Sequence, residues 1–316
     1  MPTKSSARFH GVYAATLTPF QPNGDIDAEL LAAHFRQVME PEGIVGVLCN
    51  GHAGENFLLS RAETRLVVET AVREIGDRAI IASGVNAEAT RDAVELARDA
   101  KAAGADAVVI FPPFSWALGV DVETIVGHHA AIVEAVDLPV FLYMTSIWAA
   151  RMNYSAAVLE RLLVLPNVVG IKEGSWDVSA YGRTRLLVDK VAPQVAVLAS
   201  GDSGMFPSFV LGTEGSMVSL ATIAGKEIVA LYKAVQDGNN PVALALHERL
   251  QQLAEAIYER APASHATARL KLAMQLLRHW PRAATRPPIG SLPEAEVKAL
   301  QTALEEAGLM AKAIHG

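Results

Sequence analysis

A chain of 316 residues, 51% hydrophobic and 19% charged, suffices for one large domain or two small ones, and it carries a formal charge of -7 with no basic cluster. That balance argues against nucleic acid and anionic membrane as partners and leaves a small molecule as the expected ligand. No apolar run is long enough to span a bilayer, and residues 1–8 lack a signal-peptide core. The single cysteine, Cys49, forbids an intrachain disulfide, so a reducing, cytoplasmic location is expected. Cys49 itself reads as a packed strand thiol rather than a nucleophile.

Residues 1–10 read as an N-terminal tail. Runs rich in β-branched residues then recur at 11–18, 43–49, 79–84, 107–111, 139–143, 168–172, 195–199 and 215–220, which makes eight expected strands. Amphipathic stretches lie between them, at 27–39, 61–74, 90–103 and 122–135 among others. Asp27, Ser60, Ser155 and Asn240-Pro241 mark helix starts, and Gly104 marks a stop. Strands alternating with helices through right-handed crossovers predict a (β/α)₈ barrel over residues 11–238. An open doubly wound sheet is the competing architecture, but no Gly-x-Gly-x-x-Gly follows the first strand. Beyond residue 220 the pattern is helical only. A helix at 226–236 closes the barrel, and helices at 242–259, 267–278 and 293–306 form a C-terminal helical extension over 239–316, interrupted by a Pro-rich linker at 282–288.

In such a barrel the reacting groups gather at the C-terminal ends of the strands. Those ends carry Thr16-Leu17-Thr18-Pro19-Phe20, Cys49-Asn50-Gly51-His52-Ala53-Gly54-Glu55, Phe111-Pro112-Pro113-Phe114-Ser115-Trp116, Tyr143, Lys172, Ser200-Gly201-Asp202-Ser203 and Gly215-Ser216-Met217-Val218-Ser219. Lys172 is the most informative. Alone, it is most simply a surface lysine capping a strand. Held against apolar walls, it would lose part of its charge, and its neutral amine could condense with a ketone to give a Schiff base, an electron sink. Successive N–H groups in the Gly51–Gly54 turn, with Ala53 between, would make an anion site for a carboxylate.

Four pieces carry a resemblance: Leu17-Thr18-Pro19-Phe20 with Asn23-Gly24-Asp25-Ile26-Asp27, Gly51-x-x-Gly54-Glu55, Tyr143 ending the fifth strand, and Gly170-Ile171-Lys172-Glu173 ending the sixth. Their order and spacing resemble the N-acetylneuraminate lyase / dihydrodipicolinate synthase family of pyruvate-dependent class I aldolases, from residue 11 to beyond 220. The resemblance implies a Schiff-base lysine at Lys172, a tyrosine acid/base at Tyr143, and a homotetramer of barrels, with a dimer as the smaller assembly. The ligand it implies is a small-molecule 2-oxo acid, held as a covalent lysine imine that needs no metal or other cofactor.

Three departures narrow that reading. The family usually places Ser/Thr-Thr inside Gly-x-x-Gly-Glu, where this chain has His52 and Ala53. Ala53 brings no hydroxyl, and His52 either relays protons or only shapes the pocket. After the fourth strand the synthases carry a tyrosine, whereas the nearest match here is Phe114, which carries no proton. Synthases acting on an acidic aldehyde have an arginine five residues after the catalytic tyrosine, but this chain has Trp148, and Arg151 does not match in position. A carboxylate clamp is therefore not expected, which counts against dihydrodipicolinate synthase activity.

Trp116, Trp148 and Trp176 fall in loops at the expected mouth. They either pack between loops or form a pocket for an apolar or aromatic aldehyde, as in the hydratase-aldolase branch. Asp202 and Ser203 could hold a hydroxylated tail, and Met217 joins the substrate-binding candidates from the eighth strand. Glu173 and Asp177 are expected in solvent or inter-loop contacts. His128 and His129 point in different directions from one helix and do not suit a shared metal ion. The expected activity is a class I aldolase or lyase on a 2-oxo acid. The alternatives are a 2-keto-3-deoxy sugar acid dehydratase or lyase, and a non-catalytic 2-oxo acid binding barrel.

Overall fold

Eight parallel strands close on themselves in the computed structural model, which describes residues 6–311. They are β1 (Gly11–Ala15), β2 (Ile44–Cys49), β3 (Ile80–Val85), β4 (Ala107–Ile110), β5 (Val140–Met144), β6 (Val168–Glu173), β7 (Ala196–Ala199) and β8 (Gly215–Val218). Each pairs with the next, and Gly11 beside Gly215 closes the seam between β1 and β8. A Cβ on Gly215 would lie 1.9 Å from the Gly11 carbonyl oxygen, so the seam requires glycine there. The outer ring is α1 (Ala28–Val38), α2 (Arg61–Ile75), α3 (Thr90–Ala102), α4 (Val122–Ala135), α5 (Ala156–Leu163), α6 (Val178–Val191), α7 (Met205–Val210) and α8 (Ala221–Gln236). The expected (β/α)₈ barrel is the observed one. Among the described residues three further helices follow α8: α9 (Asn240–Ala254), α10 (Ala266–Leu276) and α11 (Glu294–Glu306).

Alternation along each strand divides the core in two. On β1, Tyr13 and Ala15 face the barrel interior with Leu48, Phe141, Leu198 and Met217, while Val12 and Ala14 join the layer beneath the helices. The part of the expected tail at residues 1–5 lies outside the described residues. Ser6–Phe9 form a 3-10 turn whose Phe9 is buried edge-on against Phe141, 5.5 Å between ring centres, at the end where the strands begin. The interior is thus filled below, and the open end is the one where the strands finish.

The helix starts follow capping chemistry. Asp27, Ser155 and Asp177 each accept from a backbone N–H of the first turn, and Ser60 forms a reciprocal capping box with Glu63. Asn239 rather than Asn240 caps α9, with Pro241 inside its first turn. Gly104 lies at φ +95 just beyond α3.

Boundaries differ from expectation by three residues or more in three places. β1 ends at Ala15, because the chain leaves the ladder before Pro19, which has no N–H to give. α8 begins at Ala221 and bends at Ala224. The helix expected to run to 259 stops at Ala254 and widens into a π turn, Glu255–Glu259. Among the described residues no helix is long and apolar enough to cross a membrane.

Candidate active site

Lys172 lies one residue before the end of β6, with its side chain turned into the barrel mouth and 8% exposed. Its Nζ donates to the Met217 carbonyl at 2.9 Å and to Ser200 Oγ. Burial lowers its pKa to about 8, against the pull of the nearby Asp202 carboxylate, which favours the charged form. At pH 7 roughly a tenth of the amine is therefore neutral and nucleophilic.

Tyr143 stands beside Lys172 in register across β5 and β6, and the amine lies 5.1 Å from its ring centre. Burial raises the phenol well above its ordinary pKa, and the charges of Asp202 and Glu173 add to that. At neutral pH it is a proton donor. Glu173 faces away from the mouth and accepts from Ser175 and Thr184, while Asp177 caps α6, so both serve loop contacts.

His52 begins a 3-10 turn, His52–Gly54, after β2. Its ring sits 4.6 Å from Phe111, stacks on Phe114 at 5.6 Å and meets Tyr143 edge-on at 5.6 Å. Burial, with Lys172's charge, lowers its pKa to about 4, so at neutral pH it is an uncharged member of an aromatic wall. Its Nε2 approaches Asn86 Nδ2 at 3.5 Å. Within the turn, the N–H groups of Gly54 and Glu55 donate to the carbonyls of Gly51 and His52. Among the described residues no backbone carbonyl takes up the amides of His52 and Ala53, which both line the cavity.

The opposite side is polar. Asp202, buried, accepts from the Leu220 N–H at 2.7 Å and from the Tyr258 hydroxyl at 2.9 Å. Burial raises its pKa to about 6, while those bonds and Lys172's charge hold it down. The Tyr258 hydroxyl also lies 2.8 Å from Ser219 Oγ. One oxygen of Asp202, Oδ1, is thus already engaged within the protein.

The cavity between these walls measures about 620 Å³. Gly51, His52, Ala53, Phe114, Tyr143 and Trp148 line it together with Lys172, Asp202 and Ser203. Two expected residues do not. Gly54 is buried behind the turn, its carbonyl accepting from Thr18 Oγ1 at 2.9 Å. Met217 offers its carbonyl to Lys172, but its side chain lies beside Tyr13 in the barrel interior, one layer below the Ala15 that lines the cavity. Of the three loop tryptophans, Trp148 and Trp176 line the cavity, whereas Trp116 is buried against His128 and His129. Those histidines go separate ways, His128 to Thr90 and His129 to the Ile125 carbonyl and the Tyr154 hydroxyl. Cys49 packs on the outer face of β2 and donates to the Ala82 carbonyl, with burial pushing the thiol up to about 12. Among the described residues no arginine lines the cavity. Arg151 lies instead against Gly119, where an added Cβ would come within 2.8 Å of its Nη1.

Sequence reasoning missed one whole wall. Tyr258, Ala263, Thr267 and Leu270 come from the C-terminal extension and face the barrel mouth. The π turn at Glu255–Glu259 leaves no pattern in the sequence, so Tyr258 could not be aimed from it. Ser200 was within reach, since it opens the Ser-Gly-Asp-Ser run after β7.

Comparison with known proteins places the geometry in context. The family described as the dihydrodipicolinate synthetase family matches residues 8–307. An uncharacterized DapA-like lyase of Halobacterium salinarum is 31% identical over 301 residues, covering 95% of each chain. A 4-hydroxy-tetrahydrodipicolinate synthase of Synechococcus is 31% identical over 304 residues, covering 96% of each. Among solved structures, the dihydrodipicolinate synthase of Acinetobacter baumannii complexed with pyruvate superposes with a TM-score of 0.84 at 27% identity, over 95% of this chain and 99% of the other.

Proposed function

The chain belongs to the dihydrodipicolinate synthetase family, and from that premise we propose that it is a class I aldolase, a carbon–carbon lyase acting on a pyruvate-type 2-oxo acid with an apolar or aromatic aldehyde as partner. The observation that carries this reading is a buried lysine, in register with Tyr143, at the floor of a cavity whose facing wall is aromatic and, among the described residues, holds no arginine. In the Acinetobacter relative the crystallised ligand is pyruvate, which agrees with a 2-oxo acid here.

The chemistry follows from the placement of the groups. The Lys172 lone pair forms the N–C2 bond, and the former carbonyl oxygen takes one proton from the amine nitrogen and a second from Tyr143 and leaves as water, giving an iminium and the Tyr143 phenolate. In the cleavage direction the C3–C4 electron pair flows into that iminium to give an enamine. The C4 hydroxyl returns its proton to the Tyr143 phenolate and becomes the aldehyde carbonyl. Protonation at C3 and addition of water release pyruvate and restore the amine. The free amides of His52 and Ala53 hold the carboxylate. His52 shapes the aldehyde wall rather than relaying protons, consistent with its neutral, ring-packed setting.

The reading includes a cytoplasmic setting, which suits a single buried thiol, and a homotetramer or dimer, for which Leu118 and Trp148, 87% and 83% exposed, offer apolar contact area near the mouth. The dehydratase or sugar-acid lyase reading has less support, because one oxygen of the carboxylate that would take a hydroxylated tail already accepts from both Leu220 and Tyr258. A non-catalytic barrel is disfavoured by Tyr143 and Lys172 standing side by side in register.

Borohydride reduction in the presence of pyruvate tests the core of the proposal. One pyruvyl group is expected on Lys172 by peptide mass mapping, and an unmodified Lys172 would sink it. With pyruvate saturating, condensation should be faster with benzaldehyde than with an aldehyde carrying a carboxylate. The reverse order would sink the aldehyde assignment alone.

A further inference from the structure

Glu55 ends the turn that lines the carboxylate side of the cavity, and its backbone is left-handed, at φ 57 and ψ 39. For a residue with a Cβ that conformation is unfavourable and persists only where the surroundings enforce it. The enforcement comes from far along the chain. The Glu55 carboxylate pairs with Lys271 Nζ on α10, and their side chains are 3% and 0% exposed. Lys271 also donates to the Ala284 carbonyl at 2.9 Å and lies 4.1 Å above the Phe20 ring. Arg286, 4.4 Å from the same ring, donates its backbone N–H to Glu55 at 3.4 Å and its guanidinium to the Leu58 carbonyl at 2.7 Å.

A buried ion pair is an inefficient way to stabilise a fold, because removing two charges from water offsets much of their attraction. Its specific value is to fix one arrangement of the groups it joins. Here those groups are the turn beneath the substrate carboxylate and the helix whose Leu270, next to Lys271, lines the far wall of the cavity.

We infer that Lys271 is a positioning residue for 2-oxo acid binding: by pairing with Glu55 it holds the Gly51–Glu55 turn in the shape that presents the His52 and Ala53 amides to the carboxylate. The inference rests on the reading of Lys172 as the imine-forming amine and of the turn as the carboxylate site. Lys271 does not touch substrate. Its loss therefore weakens 2-oxo acid binding while leaving the imine chemistry at Lys172 intact, a split that a purely structural role would not produce.

The test is the pyruvate concentration that half-saturates borohydride-trapped adduct at Lys172. Lys271→Met alone leaves a carboxylate buried without its partner and can unfold. The variant combining Lys271→Met with Glu55→Gln removes both charges and keeps the measurement accessible. In either folded variant, half-saturation is expected to rise about tenfold or more, with full adduct still reached at high pyruvate. An unshifted half-saturation in the folded double variant overturns the role of Lys271. Trapping of the unaltered protein is the control, since its failure strikes the imine reading instead.

Discussion

On the Lys172 side of the cavity the central polar groups are tied to one another: Lys172 to Ser200 and Met217, Asp202 to Leu220 and Tyr258, Tyr258 to Ser219. On the His52 side the contacts are between rings, His52 with Phe57, Phe111, Phe114 and Tyr143, at 4.6 to 6.3 Å. The first wall fixes a charge and sets when the amine is neutral. The second fixes a shape and has little charge to offer a substrate. Hydrogen-bonded networks demand a defined geometry, whereas ring packing tolerates differently shaped apolar guests. On the proposed aldolase reading the imine chemistry belongs to the first wall and the choice of partner to the second, with Tyr143 serving both.

The comparison breaks most sharply at Lys172. Lys172→Ala should lower turnover on the order of 10⁴-fold or more while circular dichroism stays native, and binding of an aromatic aldehyde, followed by tryptophan fluorescence, should persist. Loss of aldehyde binding together with turnover would mean that the walls are not separable. From the other side, Phe114→Ala removes a ring that stacks on His52. It should raise the KM for an aromatic aldehyde about tenfold and leave pyruvate trapping unchanged. Equal losses for both substrates would count against the division.

A smaller effect concerns pH. Trapping needs the neutral amine, so its rate should climb roughly tenfold per unit below a midpoint of about 8 and level off above it. Asp202 favours the charged lysine. Asp202→Asn should therefore move that midpoint to lower pH while keeping an oxygen for Leu220 and Tyr258. A midpoint moving upward would show that the carboxylate acts otherwise. The smallest change is expected at Ser60, where Ser60→Ala removes the cap of α2, at the root of the loop bearing Phe57. Chemical denaturation should report a loss of about 1 kcal/mol with neither substrate affected. A shift in aldehyde KM would tie the aromatic wall to that helix start.

The strands and their order were legible because each is a short β-branched run bounded by turn residues, and because alternation with helices leaves few topologies open. Lys172, Tyr143 and the Gly51–Gly54 turn were legible for a related reason: a barrel sends strand ends to one face, so position in the strand gives position in the site. What escaped depends on contacts between distant segments. Trp116 and Trp148 both sit in loops after strands, and nothing local tells that one turns inward onto His128 while the other reaches the rim. Met217 faces the barrel interior as Tyr143 does, but it pairs with Tyr13, a layer below Ala15, and so stops short of the cavity. Tyr258 is aimed by a π turn, and Lys271 acquires meaning only once α10 packs beneath the turn after β2.

That last wall has a consequence in time. Ribosomes emit this chain strand by strand, and all eight strands precede Tyr258, Leu270 and Lys271. A nascent chain can therefore close its barrel, with Lys172 already in place, before the parts that finish the cavity have been made. The amine exists early, but the enclosure around it arrives with the final helices.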